Sequence, residues 1–324
     1  MTGSHLQRIV LAAIGAAMAM TACTDSKQTK QPTMAKIACD ESFENILEQE
    51  INVYEYIYPK EDVLAYYVPE SQAIDSIMAM GSVKGAVITR PLTDKEVSYL
   101  RSHKKLVHQQ KIAVDALALI VNPENPVEIL SKKDIAEILT GDVTRWDQVE
   151  PCKLGEIDVV FDHQSSSTVK YMRDSVMDGR PFGSHISAVK TNPDVFKAVA
   201  SNRNAIGIIG VSWVASDLSG REKSVEELAQ AVEKSDTTTL DFSSDVKVLK
   251  IRGNNEVTAY KPYQAYIFDG SYPLYRSVYM VSTAPGGTVS HRFYSFVTGF
   301  QGQKIIQMTG ILPATVRPRM VQVE

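Results

Sequence analysis

The 324-residue sequence predicts an α/β fold with mainly parallel sheets, and three observations lead to it. Apolar runs of four to seven residues recur along the chain. Amphipathic stretches with helical spacing separate them, and several of those stretches open on residues that cap helices.

Taken in order, KIAC (36–39) is the first strand, and Phe43, Ile46, Leu47 and Ile51 behind it share one helical face. LAYYV (64–68) leads to Ser71 and the apolar positions Ala73, Ile74, Ile77 and Met78. GAVIT (85–89) precedes Thr93 and Glu96 at capping-box spacing. ALALIVN (116–122) comes before a helix opened by Ser131 and closed by Gly141. IDVVF (157–161) feeds four consecutive hydroxyls, Ser165 to Thr168, then Val169, Met172 and Val176, with Gly179 as a stop. Asn192 and Pro193 read as a cap and a first-turn proline ahead of AIGIIG (205–210). Ser224 and Glu227 repeat the capping-box spacing within a polar surface segment, 221–245. VKVLKI (246–251) and SVYMVS (277–282) complete the strands.

Composition narrows the function. With 44% apolar and 22% charged residues the chain can bury a sizeable core, and its length suits about two domains. A net charge of −4 argues against nucleic acid as a partner, because that role demands a basic face. The start is distinct. Arg8 leads into the twelve apolar residues 9–20, too short to span a bilayer but suited to a signal peptide, and MTAC ends at Cys23. This segment resembles a bacterial lipobox, so residues 1–23 are expected to be a lipoprotein signal with Cys23 lipidated and 24–35 a flexible tether. Cys39 and Cys152 lie too far apart in sequence to assign a disulfide, and no spacing among the Cys and His residues fits a metal site. No cofactor is implied.

Three hydroxyl-bearing strand-to-helix turns stand out, at Ser42, Ser71 and Ser166 to Thr168. A helix N-terminus leaves backbone N–H groups unpaired and carries about half a positive charge, so several of them at one cleft bind an anion with few basic side chains. Each hydroxyl alone is explained as an ordinary cap. Four in a row exceed what one cap needs.

IAVDALALIVNPENPV (112–127), DIAEILTGDVTRWDQV (134–149), SSST (165–168), NAIGIIG (204–210), YPLYRSVYMV (272–281) and FYSFVTGFQGQKIIQMTGILPA (293–314) together resemble, in this order, the phosphate-binding subunits of bacterial ABC importers. The resemblance implies a two-lobed, type II periplasmic-binding-protein fold, each lobe a mainly parallel sheet flanked by helices, with the ligand cleft between them. It places lobe I at 36–114 plus 274–324 and lobe II at 115–273, with hinge crossings near 113–117 and 271–276. Carried over residue by residue, the family's phosphate contacts fall on Ser42 and Phe43, on Ser71, and on Ser166, Ser167 and Thr168. Thr89 stands where the family has an Asp that accepts the proton of hydrogen phosphate and so rejects sulfate, and Arg90 follows it. Asp162 fills the slot of a family Arg. Either Arg90 contacts the anion while Asp162 accepts its proton, or the two pair across the cleft as a partly wet salt bridge. Arg276 is expected in a structural salt bridge, and Trp146 and Trp213 as packing anchors.

The implied function is capture of phosphate or a related tetrahedral oxyanion by a monomeric, lipid-anchored protein of the cell envelope, for a transporter permease. An anion sensor in a membrane signalling complex is the alternative. Asp162, His163 and Ser166 superficially suggest a serine hydrolase, but three residues crowded on one turn seldom aim a base at a nucleophile, and no enzyme activity is expected.

Overall fold

The computed structural model describes residues 33–215, 242–254 and 256–315, together with 225, 226 and 230. Cys23 and the Ser224–Glu227 capping pair lie outside the described residues.

Strand β1 (Thr33–Asp40) begins three residues before the apolar run that predicts it, inside the stretch expected to be a tether. Helix α1 (Glu44–Ile57) follows and buries Ile46, Leu47, Ile51, Val53 and Tyr54. Each such large apolar side chain contributes about 1.5–3 kcal/mol when removed from water. Strand β2 (Glu61–Val68), helix α2 (Glu70–Met78), strand β3 (Gly85–Ile88) and helix α3 (Asp94–Ser102) complete the first set of units. Both β2 and β3 pair with β1 in parallel. The Thr93–Glu96 capping box of α3 forms as predicted.

Strand β4 (His108–Val121) is twice as long as its predicted run. Its first residues alternate in exposure and its last seven are all buried, the pattern of a strand that enters the sheet at an edge and ends covered on both faces. Then come β5 (Ile129–Ser131), α4 (Lys132–Thr140) and α5 (Trp146–Val149). Helix α4 has the expected Ser131 cap and ends at Gly141, whose φ of 88° favours glycine. Trp146 is fully buried and donates to the Asn204 carbonyl at 2.9 Å.

Strand β6 (Asp158–Phe161) feeds α6 (Ser167–Tyr171), which continues as a wider π-helical turn over Met172–Val176. Strand β7 (Ile186–Ala188) precedes α7 (Asn192–Ser201). The cap of α7 is Thr191, whose side chain accepts from the Asp194 N–H, so Asn192 is one residue inside the helix it was expected to cap. In β8 (Ala205–Gly210), a Cβ on Gly207 would meet Val195 and Val199 at 2.8 Å, which explains the glycine. Strands β9 (Lys247–Val248) and β10 (Lys250–Arg252), helix α8 (Gln264–Phe268), strand β11 (Tyr275–Ser282), helices α9 (Val289–Thr298) and α10 (Phe300–Met308) and strand β12 (Leu312–Pro313) close the described chain.

The main sheet runs β2-β1-β3-β11-β4-β8-β6-β7. Strand β4 joins its halves: residues up to Ala116 pair with β11, and Leu117 onward pairs with β8. Parallel pairing rules on either side, β2-β1-β3 in one half and β8-β6-β7 in the other, with β11 and β4 antiparallel between them. The carboxyl ends of the two parallel groups therefore carry Asp40, Thr89 and Asp162, the position where open α/β sheets bind ligands.

Candidate functional site

Asp40 ends β1 and caps the short turn Glu41–Phe43 by accepting the Ser42 N–H at 2.9 Å. That turn aims Ser42, which is buried, toward the other half of the molecule, where its Oγ lies 3.2 Å from the Ser167 Oγ. Ser212 Oγ lies 3.3 Å from Asn45 Oδ1, and the Trp213 indole N–H donates to the Ser42 carbonyl at 3.0 Å. Trp213, expected to be a packing anchor, thus also ties the two halves together at the site.

From the second half, Ser166 caps α6 by accepting the Val169 N–H at 3.2 Å and donates its own proton to Asp162 Oδ1 at 2.6 Å. Ser167 and Thr168 are buried beside it, and among the described residues no hydrogen bond reaches the Thr168 Oγ1. The hydroxyl run therefore divides its work: Ser166 caps, Ser167 faces the opposite half, and Thr168 keeps free capacity. Ser165 is exposed and bonds to His163.

The cation of the site is Arg276. It is 6% exposed, sits opposite Asp115 in the β11–β4 ladder, and donates from Nε to Asp115 Oδ2 at 3.0 Å. Its Nη1 donates to the Ser167 Oγ at 2.7 Å, and its guanidinium lies over the Phe43 ring at 4.9 Å. Nη2 is 3.0 Å from the same Asp115 oxygen but off the hydrogen-bonding direction, so it retains donor capacity. The expected structural salt bridge is present, and the same side chain also reaches the Ser167 hydroxyl. Guanidinium geometry suits it to a tetrahedral oxyanion.

Three carboxylates surround this one cation. Burial pushes the Asp115 carboxyl up to about 6, with Arg276 pulling it back. Asp40 is likewise raised by burial, opposed by Arg276, by the Ser42 N–H and by the Ser167 hydroxyl. Asp162 is raised by burial, opposed by the Ser166 hydroxyl. Among the described residues no hydrogen-bond donor meets Asp40 Oδ2, Asp115 Oδ1 or Asp162 Oδ2. A buried acceptor left so costs about 1–3 kcal/mol.

Two sequence expectations need correction. Ser71 is exposed and does not cap α2, whose N-cap is Pro69 with no side-chain bond. The neighbouring Glu70 is the buried residue there, accepting from the Thr89 N–H at 2.6 Å and from the Thr89 hydroxyl. Arg90 does not pair with Asp162. Its fork grips Glu96 of the α3 capping box through two bonds of 2.8 Å, and this contact holds Glu96 down to about 2. The nucleophile-and-base arrangement is also not formed, since Ser166 bonds to Asp162 while His163 faces Ser165 and, at 3.7 Å, Glu41.

Cys39 and Cys152 are both free. Among the described residues no cluster of His, Cys, Asp and Glu could hold a metal, and no helix is long and apolar enough to cross a membrane. Sequence reasoning missed Asp40 and Asp115 and undervalued Arg276. The available signal was a lone Asp inside the apolar run IAVDALALIV and an Arg inside a strand.

The strand ends of a two-lobed α/β fold thus converge on a buried guanidinium and several hydroxyls, the place where such folds carry their ligand sites. The model of the PBP superfamily domain matches residues 26–300, and the chain belongs to that superfamily. More particularly, it is 26% identical over 222 residues to the phosphate-binding protein PstS of Staphylococcus epidermidis, covering 66% of this chain and 59% of that relative's length. It is 25% identical over 138 residues to protein SphX of Synechococcus elongatus, 41% of either chain. Among solved structures it is similar to one from Clostridium perfringens described as a phosphate ABC transporter substrate-binding protein with bound phosphate (TM-score 0.67, 20% identity, 87% of this chain and all of that one). A phosphate transport receptor from Vibrio cholerae gives a TM-score of 0.61 at 21% identity, over 86% of this chain and 99% of that one.

Proposed function

We propose that this chain is an extracytoplasmic solute-binding protein that captures phosphate or a related tetrahedral oxyanion for an ABC-type importer. The observation that carries the reading is the buried Arg276, held by Asp115 and bonded to the Ser167 hydroxyl, which in turn lies against Ser42 of the other half of the sheet. Such a cation can neutralise an anion while Ser42, Ser167 and Thr168 fix its oxygens. In this reading the lobes are 36–114 plus 274–324 and 115–273, and they close on the ligand about β4 and β11. Thr89 lies at the rim, and Arg90 and Ser71 lie outside the contact set. Lipidation at Cys23 would hold a monomer at the membrane, near the permease that takes the anion. The likeness to PstS supports the assignment of anion class.

Calorimetry of the purified chain against phosphate, arsenate, sulfate and molybdate tests it. A ligand at a hundredfold excess over its dissociation constant stabilises the folded state by ~2.7 kcal/mol, so a melting shift of several degrees should accompany true binding. Absence of heat and of any melting shift with all four anions would overturn the reading.

A further inference from the structure

The end of the first half that lies opposite the anion site has a chemistry of its own. Strand β1 runs eight residues from Thr33 to Asp40, about 23 Å, so the site at its carboxyl end is remote from the face where the strand begins. Four segments meet at that face: the start of β1 and the turns that lead into β2, β3 and β4. The turn after α1 leaves Tyr56 50%, Ile57 36% and Tyr58 39% exposed, Met34 of β1 is 51% exposed, and Leu106 in the turn before β4 is 59% exposed. Large apolar side chains grouped in this way mark a contact surface.

Cations are interleaved with them. Lys60 and Lys104 are exposed, and Lys84 and Lys105 are half-buried. Burial and then the charge of Lys105 hold the Lys84 ammonium below its usual range, so these two like charges are near neighbours. Of the carboxylates around them, Glu61 is held by Arg292 and Glu55 accepts the Val63 N–H at 2.8 Å, which leaves Asp62 and Asp75 to offset the lysines. A chain of net charge −4 thus has one basic, aromatic end. Tyrosines and lysines set among aliphatic side chains suit the interface of a bilayer, where rings lie at headgroup depth and ammonium groups reach the lipid phosphates.

Resting on the lipid-anchored reading above, we propose that this face lies on a membrane surface bearing anionic phospholipids. The chain itself favours a bilayer over another protein as the occupant. Nine residues, 24–32, separate Cys23 from Thr33, which allows at most ~36 Å between the two, and Thr33 adjoins Met34 of the face. A lipid on Cys23 therefore keeps this end of the molecule near the bilayer. Headgroup phosphates neutralise the lysines, and the attraction acts only within the Debye length of ~8 Å at physiological salt. The anion site, at the far ends of the same strands, is turned away from the lipid and stays open to solute.

A chain that starts at Thr24 has no lipid, and its described residues from Thr33 onward form one compact unit, so it reports on the face alone. Sedimented with vesicles at ~0.05 M salt, it should partition at least ~10-fold more onto phosphatidylcholine holding about 30% phosphatidylglycerol than onto phosphatidylcholine alone, and the excess should shrink at ~0.3 M salt. Lys60→Glu with Lys105→Glu should lower that partition at least ~10-fold, and Tyr56→Ser with Leu106→Ser should lower it ~3-fold or more while keeping its salt dependence. Lys133→Glu with Lys190→Glu, the same charge change on the other half of the molecule, should alter it less than about twofold. Unchanged thermal melting shows that the variants fold. Equal partition of the wild type onto both vesicles, or an equal loss in the Lys133 and Lys190 pair, overturns the proposal. So does a dimer that the Tyr56 and Leu106 changes dissociate, since the face then belongs to a second copy. Failure to bind vesicles with phosphate binding intact leaves the captured anion as proposed above, and the reverse result sinks that reading and spares this surface.

Discussion

Two arginines, Arg90 and Arg276, sit near the strand ends that form the site, and they are used in opposite ways. Arg90 is about a third exposed and makes a two-bonded pair with Glu96, six residues away on the helix whose capping box it reinforces. Arg276 is buried and pairs with Asp115, 161 residues away, while bonding to Ser167 and covering Phe43. The difference lies in what each side chain can reach before the chain folds. A local carboxylate captures Arg90, whereas only the assembled sheet brings a partner to Arg276. An exposed pair stabilises by little because water solvates both ions well, and a buried pair becomes indispensable once its partner is buried too.

The largest effect should come from splitting the buried pair. Arg276→Met leaves the Asp115 carboxylate buried and uncompensated, at a cost of ~3–5 kcal/mol. Thermal melting should show the loss, and phosphate binding should vanish with it. Asp115 has a raised carboxyl, so the deficit should be smallest at acid pH, where that carboxyl takes a proton, and should grow as pH rises through its folded value. Arg276→Met combined with Asp115→Leu removes both ions and should recover most of the stability with no recovery of anion binding. If the double variant is no more stable than the single one, Asp115 is not the reason Arg276 is needed.

Glu50 on α1 sharpens the comparison, because it is a buried ion-former with no partner among the described residues. It is 1% exposed, neither of its oxygens finds a donor, and it lines an apolar cavity of about 10 Å³ behind Phe43 with Ile112, Val278 and Ile306. Burial raises its carboxyl well above the usual range. A group raised in this way opposes folding as pH climbs: the penalty is absent below the unfolded value of about 4.3 and grows until the folded value is passed. Glu50→Met, of similar length and unbranched, should therefore stabilise by ~1–3 kcal/mol at neutral pH and by less at pH ~4. Equal stability of variant and wild type across that range in chemical denaturation would mean that Glu50 has a partner in solution.

These cases also mark where the sequence stops being legible. The parallel strands and most helix caps are written locally, in runs such as GAVIT and AIGIIG and in pairs such as Ser131 with Asp134, so the fold class follows from neighbours in the chain. The hydroxyls at Ser42 and Ser166 to Thr168 are visible for the same reason. Ser71 misled because hydroxyls cap helices in general, while here Pro69 starts the helix and Glu70 turns inward. Asp40, Asp115 and Arg276 gain their roles only from contacts across the sheet, and no spacing in the sequence encodes those contacts. The short strands β5 and β7 went unseen because three residues give no period to read.

The smallest effect belongs to Arg90, and it tests the comparison from the other side. Arg90→Ala removes two bonds to Glu96, yet Glu96 still accepts the Thr93 N–H and completes the cap of α3. With the pair about a third exposed on the arginine side, the expected loss is ~0–1 kcal/mol, and it should shrink further in high salt. Glu96 is held low by Arg90, so this contribution is present above the unfolded carboxyl value and fades as pH falls toward about 2. Phosphate affinity measured by calorimetry should change by less than about twofold, because the guanidinium is committed to its own helix and an exposed charge is screened. A tenfold loss of affinity would mean that Arg90 releases Glu96 when the ligand arrives, and that the exposed arginine shares the anion with the buried one.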